Sequence, residues 1–110
     1  MAAQPTELLK GTLGLLILRT LELEPRHGVG IADRIGQITK GTFSVKAGSL
    51  FPALHRLEQE GFITGEWSVS EAGRRVKSYR LTPPGRQQLA AEKKQWARIV
   101  SAMGQVLNAD

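Results

Sequence analysis

Apolar residues recur along most of this chain at helical spacing, with one interval of strand-like alternation in between. Leu8, Leu9, Leu13, Leu15, Leu16, Ile17, Leu18 and Leu21 cover nearly the whole circumference of a first predicted helix. Thr6 is placed to cap it, with Glu7 in its first turn, and it must stop before Pro25 because the residue ahead of a proline avoids the α region. Val29, Ile31, Ala32, Ile35 and Ile38 form a second stripe, closed by Gly41. Thr42 to Val45 is too short for more than a connector or a stub of strand. A third stripe, Leu50, Ala53, Leu54 and Leu57, defines a helix ending at Gly61. Its start is open: Ser49 as cap puts Pro52 in the first turn, and Lys46 or Ala47 is also possible.

After Phe62 the period changes. Ile63 and Trp67 alternate with Thr64 and Glu66, Ser70 to Arg75 read as a turn containing Gly73, and Val76 to Leu81 form a second strand. Thr82 followed by Pro83 is a cap and a first-turn proline, opening a last helix of roughly 24 residues that reaches about Leu107. Leu89, Trp96 and Met103 recur there every seven residues, joined by Ile99, Val100, Val106 and Leu107, while Glu92 and Lys93 interrupt the stripe. That is a short, imperfect dimer seam. A first helix apolar all round also needs cover on more than one side, and Leu13 and Leu16 are assigned to the same subunit contact.

Composition and charge narrow the function. The 110 residues suffice for one domain with a modest core, which dimerisation often completes. There is no cysteine, so disulfides, thiolate metal sites and cysteine nucleophiles are excluded, in keeping with a cytoplasmic location. The apolar run Leu13 to Leu18 is far short of a membrane span, and the N-terminus lacks a signal-peptide layout. Residues 1 to 36 hold as many acids as bases, so the net charge of +5 lies entirely in the remainder. Between Glu71 and Glu92 there is no acid, while Arg74, Arg75, Lys77, Arg80 and Arg86 fall in that interval. Such segregation is the footprint of a polyanion partner.

The third predicted helix exposes Ser49, Pro52, His55, Arg56 and Gln59, with its acids Glu58 and Glu60 toward the C-terminal end. An acid-free N-terminal half suits insertion beside phosphates and base edges. Helix, helix, recognition-type helix and basic hairpin follow in the order of a winged helix-turn-helix, in which the third helix enters the major groove and the hairpin reaches the backbone or the minor groove. The same shape serves protein or RNA contacts, which is the alternative reading. Catalysis finds no support: Ser49 and His55 are six residues apart and no carboxylate is placed to orient the imidazole. Two histidines with scattered acids do not reach metal-ligand spacing, and Gly28, Gly30 and Gly36 follow no strand, so no catalytic residue, metal site or cofactor is expected.

The segments HGVGIADRI at 27 to 35, GSLFPALHRLEQEGFI at 48 to 63 and YRLTPPGRQQL at 79 to 89 resemble the PadR family of bacterial transcriptional regulators. The resemblance implies a mainly α fold with a small β-hairpin: a winged helix-turn-helix over residues 1 to 82 and a dimerisation helix over 83 to 110, forming one compact unit. It implies a dimeric repressor of a double-stranded DNA operator, released by a small-molecule effector. Ser49, Phe51, His55 and Arg56 are then expected toward DNA together with Lys46, and the wing is Ser70 to Lys77, where Arg74, Arg75 and Lys77 serve phosphates. Leu89, Trp96, Ile99, Val100, Met103 and Leu107 are assigned to the dimer, with Trp96 lining a cavity for planar aromatic compounds. Two residues depart from the family pattern: Phe51 replaces a tyrosine whose hydroxyl can reach a phosphate, and Val29 replaces another tyrosine, a change expected to act on packing.

Overall fold

A computed structural model describes residues 11 to 110. The expected cap Thr6, with Glu7, Leu8 and Leu9, lies outside the described residues. The elements are α1 (Thr12–Leu23), β1 (Arg26–His27), α2 (Gly28–Ile38), α3 (Ala47–Gln59), β2 (Ile63–Val69), β3 (Arg75–Leu81) and α4 (Pro83–Leu107). The mainly helical fold with its hairpin matches the sequence pattern. The hairpin, however, gains a third strand: β1 pairs antiparallel with β3, Arg26 opposite Tyr79 and His27 opposite Ser78, giving the order β1-β3-β2. Two residues carry no period, so only the unpaired edge of β3 defines this strand. Residues 42 to 45 are a connector without strand pairing.

The core is assembled from one face of every long element. Ile17, Leu18 and Leu21 of α1 meet Ile31 and Ile35 of α2, the stripe Leu50, Ala53, Leu54 and Leu57 of α3, Ile63, Tyr79 and Leu81 of the sheet, and Leu89 of α4. Each fully buried aliphatic side chain contributes about 1.5 to 3 kcal/mol relative to exposure. Val29, by contrast, is 62% exposed. The expectation that it acts on packing is therefore corrected: it points off α2 and touches no core.

Two junctions fix α3 and α4 on this core. Glycine 61 adopts φ of 81°, a left-handed conformation that ends α3 and turns the chain into β2. Thr82 then ties the start of α4 to that turn. Its hydroxyl donates to the Gly61 carbonyl at 2.6 Å and accepts from the Gly85 amide at 3.1 Å, and its own amide donates to the Phe62 carbonyl at 3.1 Å. A Cβ at Gly85 would lie 1.9 Å from the Phe62 carbonyl oxygen, so only glycine allows this approach. Farther along, Lys93 Nζ meets Glu22 Oε1 at 3.2 Å, pinning α4 to α1. Beyond that point α4 leaves the core.

Candidate nucleic-acid interface

Recognition-type helix α3 starts at Ala47 with Lys46 in the extended N-cap conformation, which resolves the open start. Pro52 is thus the sixth helical residue, and its missing amide leaves the Gly48 carbonyl without an intrahelical partner. Because Leu50, Ala53, Leu54 and Leu57 are held in the core, Ser49, Phe51, His55 and Arg56 are all exposed, and Lys46 stands exposed at the helix entry. The structure therefore leaves these five expected residues exposed, at the entry of α3 and on the side of it turned away from the core. Phe51 is 45% exposed and leans on α2, its Cε1 being 3.0 Å from where a Cβ on Gly28 would lie. His55 and Arg56 form none of the described ion pairs, whereas Glu58 turns toward the wing.

The wing is the hairpin of β2 and β3. Its turn is closed by the Ser70 amide to the Arg74 carbonyl at 2.8 Å and the Gly73 amide to the Ser70 carbonyl at 2.9 Å, with Gly73 at φ of 78°. Arg74 stands exposed at the tip, as the charge pattern implied. The other two wing cations are engaged. Register pairs Ile63 with Leu81, Gly65 with Tyr79, Trp67 with Lys77 and Val69 with Arg75, so these eight residues share one sheet face. Its first half is covered by the core; the second half projects beyond it. There the Arg75 guanidinium carbon sits 4.7 Å from the centre of the Trp67 ring. Lys77 Nζ lies 5.7 Å from Trp67 and 5.3 Å from Tyr79, and bonds Glu58 Oε1 of α3 at 2.9 Å.

Lys77, expected as a phosphate contact, is thus a tie between wing and recognition helix. The Glu58 hydrogen bond raises its pKa above the usual lysine value, so the ammonium stays charged and paired. Behind it, burial together with the neighbouring Glu58 charge pushes the Tyr79 phenol upward against the opposing pull of Lys77. The sequence pattern gave Trp67 no role beyond its place in a strand. It alternates with Thr64 and Glu66 exactly as a half-buried strand residue does, and only its 56% exposure beyond the core edge reveals otherwise.

On α4 the expected seam splits. Leu89 is 1% exposed, buried under α1 and the sheet of its own protomer, and cannot meet a second chain. It is removed from the dimer residues because the helix axis is still pressed against the core at that turn. Trp96, Ile99, Val100, Met103 and Leu107 are all exposed along the free end of the helix. Leu13 and Leu16 are half-buried and already pack against the protomer core. Among the described residues, no helix is long and apolar enough to cross a membrane.

With this geometry in view, the likeness to known proteins is specific. Residues 17 to 91 match the Transcriptional regulator PadR-like family. The chain is 34% identical over 68 residues to the transcriptional regulator Rv3488 of Mycobacterium tuberculosis, spanning 62% of this chain and 60% of that protein. It superposes with a TM-score of 0.76 at 32% identity on a PadR family transcription regulator from Clostridium difficile, covering 89% of this chain and all of that one. A PadR family regulator from Eggerthella lenta gives a TM-score of 0.80 at 28% identity, over 92% of this chain and 86% of that one. The matched region contains the exposed α3 face and the whole wing, and the chain accordingly belongs to the PadR-like family of transcriptional regulators, DNA-binding proteins and not enzymes.

Proposed function

We propose that the protein is a dimeric repressor that binds an operator with two-fold symmetry through paired α3 helices and wings. The observation that carries this reading is that α3 and the wing expose hydrogen-bonding and cationic side chains while the far part of α4 exposes large apolar ones. Lys46, Ser49, His55 and Arg56 are exposed at the entry and on the outer face of α3, and Arg74 is exposed at the wing tip. Unpaired aliphatic surface occupies the free part of α4. The α3 residues suit base edges and nearby phosphates, Arg56 being the side chain able to grip a guanine edge with two bonds. Arg74 suits a phosphate. A second copy is the natural cover for the exposed α4 face, and binding as such a pair requires two α3 helices spaced for successive major grooves, about 34 Å apart.

Release by an effector is supported by Trp96, 38% exposed on that face, one turn beyond Glu92, whose Oε2 is buried with no hydrogen-bond partner among the described residues. A pair of such indoles near a dimer axis would stack a planar aromatic compound, and the carboxylate favours a cationic one. Ligand binding relieves repression only by preferring a dimer whose α3 helices are wrongly spaced.

The test of the central reading is selection of a preferred duplex from a random pool, followed by Arg56→Ala. The variant is expected to lose about 1 to 3 kcal/mol on the selected duplex and to relax the choice of base at one position in each half-site. Unchanged affinity and unchanged sequence preference would remove α3 as the reading element. Binding that falls with salt yet shows no preference among duplexes would favour a nonspecific polyanion or RNA module instead.

A further inference from the structure

The projecting half of the wing carries more apparatus than a phosphate contact needs. Trp67 and Val69, 56% and 69% exposed, lie beside Arg75 on one sheet face, and the guanidinium is laid over the indole at 4.7 Å. A surface arginine that only meets phosphates gains nothing from an aromatic plate or a bare valine. A phosphate oxygen is met equally well by an exposed cation such as Arg74 at the tip. An arginine held over an indole beside an exposed valine has different chemistry: a flat cation on a strip that can lie against deoxyribose. Those are the features of a minor groove, with sugar walls, an acceptor floor and a potential most negative where A·T tracts narrow it.

The strip is also braced against the recognition helix. Lys77, directly opposite Trp67, crosses from the indole to Glu58 near the C-terminal end of α3. Gly65 keeps the lane open, since a Cβ there would come within 2.3 Å of Lys77 Cε and 3.1 Å of Glu58 Oε2. Tyr79 backs the same ammonium at 5.3 Å from the core side. The run Tyr79, Lys77, Trp67, Arg75 therefore leads from the core to the wing end and couples the wing's position to that of α3.

We propose that Arg75, held on the Trp67 indole, reads the width of the minor groove flanking the bases faced by α3, so that this protein prefers operators with A·T-rich flanks. Trp67 is a positioning residue in this arrangement and Arg75 the contacting one. The inference rests on the reading of the protein as a sequence-specific DNA binder, and the experiment separates the two. From the duplex selected for the full-length protein, two versions are made with the same centre and either A·T-rich or G·C-rich flanks, and compared by competition at one fixed salt concentration. The unmodified protein is expected to favour the A·T-flanked duplex. Arg75→Ala is expected to abolish that ratio, and Arg75→Lys to reduce it although the charge is retained. Trp67→Leu, at an exposed strand position, is expected to shrink the ratio by about 2- to 5-fold, and Trp67→Phe by less, following the strength of the stacked cation contact. Arg74→Ala is expected to weaken both duplexes by the same factor. Equal weakening of both duplexes by Arg75→Ala, or a ratio untouched by Trp67→Leu, would overturn the inference while leaving the DNA-binding reading intact. Failure to select any preferred duplex would overturn both.

Discussion

At the scale of single residues, the sites that matter most are those where a side chain, or its absence, serves two elements at once. Thr82 caps α4 and holds the end of α3 through one hydroxyl, and Gly85 allows the first turn of α4 to touch the backbone at Phe62. The sequence marks Thr82 as a helix-start residue, but the approach of Gly85 to Phe62 is a tertiary fact. Gly85→Ala is expected to destabilise the protein by about 3 kcal/mol, because a backbone carbonyl cannot retreat as a flexible side-chain end can. For a domain of this size that is a fall in Tm of more than ~10 °C, measurable by calorimetry. A change of less than ~2 °C would show that the α4 junction is looser than described. Lys77 teaches the converse lesson: its charge and its place on a basic strand point to DNA, yet a carboxylate 19 residues earlier in the chain claims it.

At the scale of elements, α4 is one helix in geometry with two different surroundings. Its first half is anchored by Leu89 in the core and by Lys93 on Glu22, and its second half presents an unpaired apolar face. The hydrogen bond from Arg19, and then that from Lys93, hold the Glu22 carboxyl below its usual pKa. A group with a depressed folded pKa stabilises the protein above its unfolded value, near 4.3, and that contribution is lost as pH falls through the folded value. Glu22→Gln is therefore expected to lower stability at pH 7 by no more than about 1 kcal/mol, since the pair is partly solvated. The difference should vanish near pH 3. Thermal unfolding of both proteins across that range checks it, and a gap that persists at low pH would assign the effect to packing. Helical periodicity found α4 but could not divide it, because a seven-residue recurrence is equally satisfied by a core contact and by a subunit contact.

At the scale of the whole molecule, the protomer extends 60 Å along its longest axis against 21 Å along its shortest, and among the described residues the far part of α4 exposes Trp96, Ile99, Val100, Met103, Val106 and Leu107. Residues that are exposed in one protomer can be changed without entering its core. Ile99→Glu combined with Met103→Glu is accordingly expected to yield folded monomer by analytical ultracentrifugation, with operator affinity reduced at least ~100-fold by loss of the second half-site. Leu89→Ala, in contrast, should cost about 2 to 5 kcal/mol of folding stability. A double variant that remains dimeric would place the subunit contact elsewhere. The proposed dimer can also be probed through Trp96 in a Trp67→Phe background, where it is the sole indole. Planar aromatic cations are expected to quench its fluorescence at micromolar levels, and absence of quenching would leave Trp96 as a packing residue of the seam.

The sequence by itself determined the helices, the hairpin, the face of α3 that meets solvent and the segregation of positive charge, because each of these is written in local periodicity or composition. Short resembling segments around α2, α3 and the start of α4 also sufficed to indicate the family. Only the tertiary structure decided which residues of a given stripe are spent within the protomer. It withdrew Leu89 into the core, left Val29 in solvent, engaged Lys77 with Glu58, set Trp67 under Arg75 and recruited Arg26 and His27 as a third strand. The physical reason is common to all five. A side chain's period states which direction it leaves its own element, whereas burial and pairing depend on what another element, distant in sequence, places in its way.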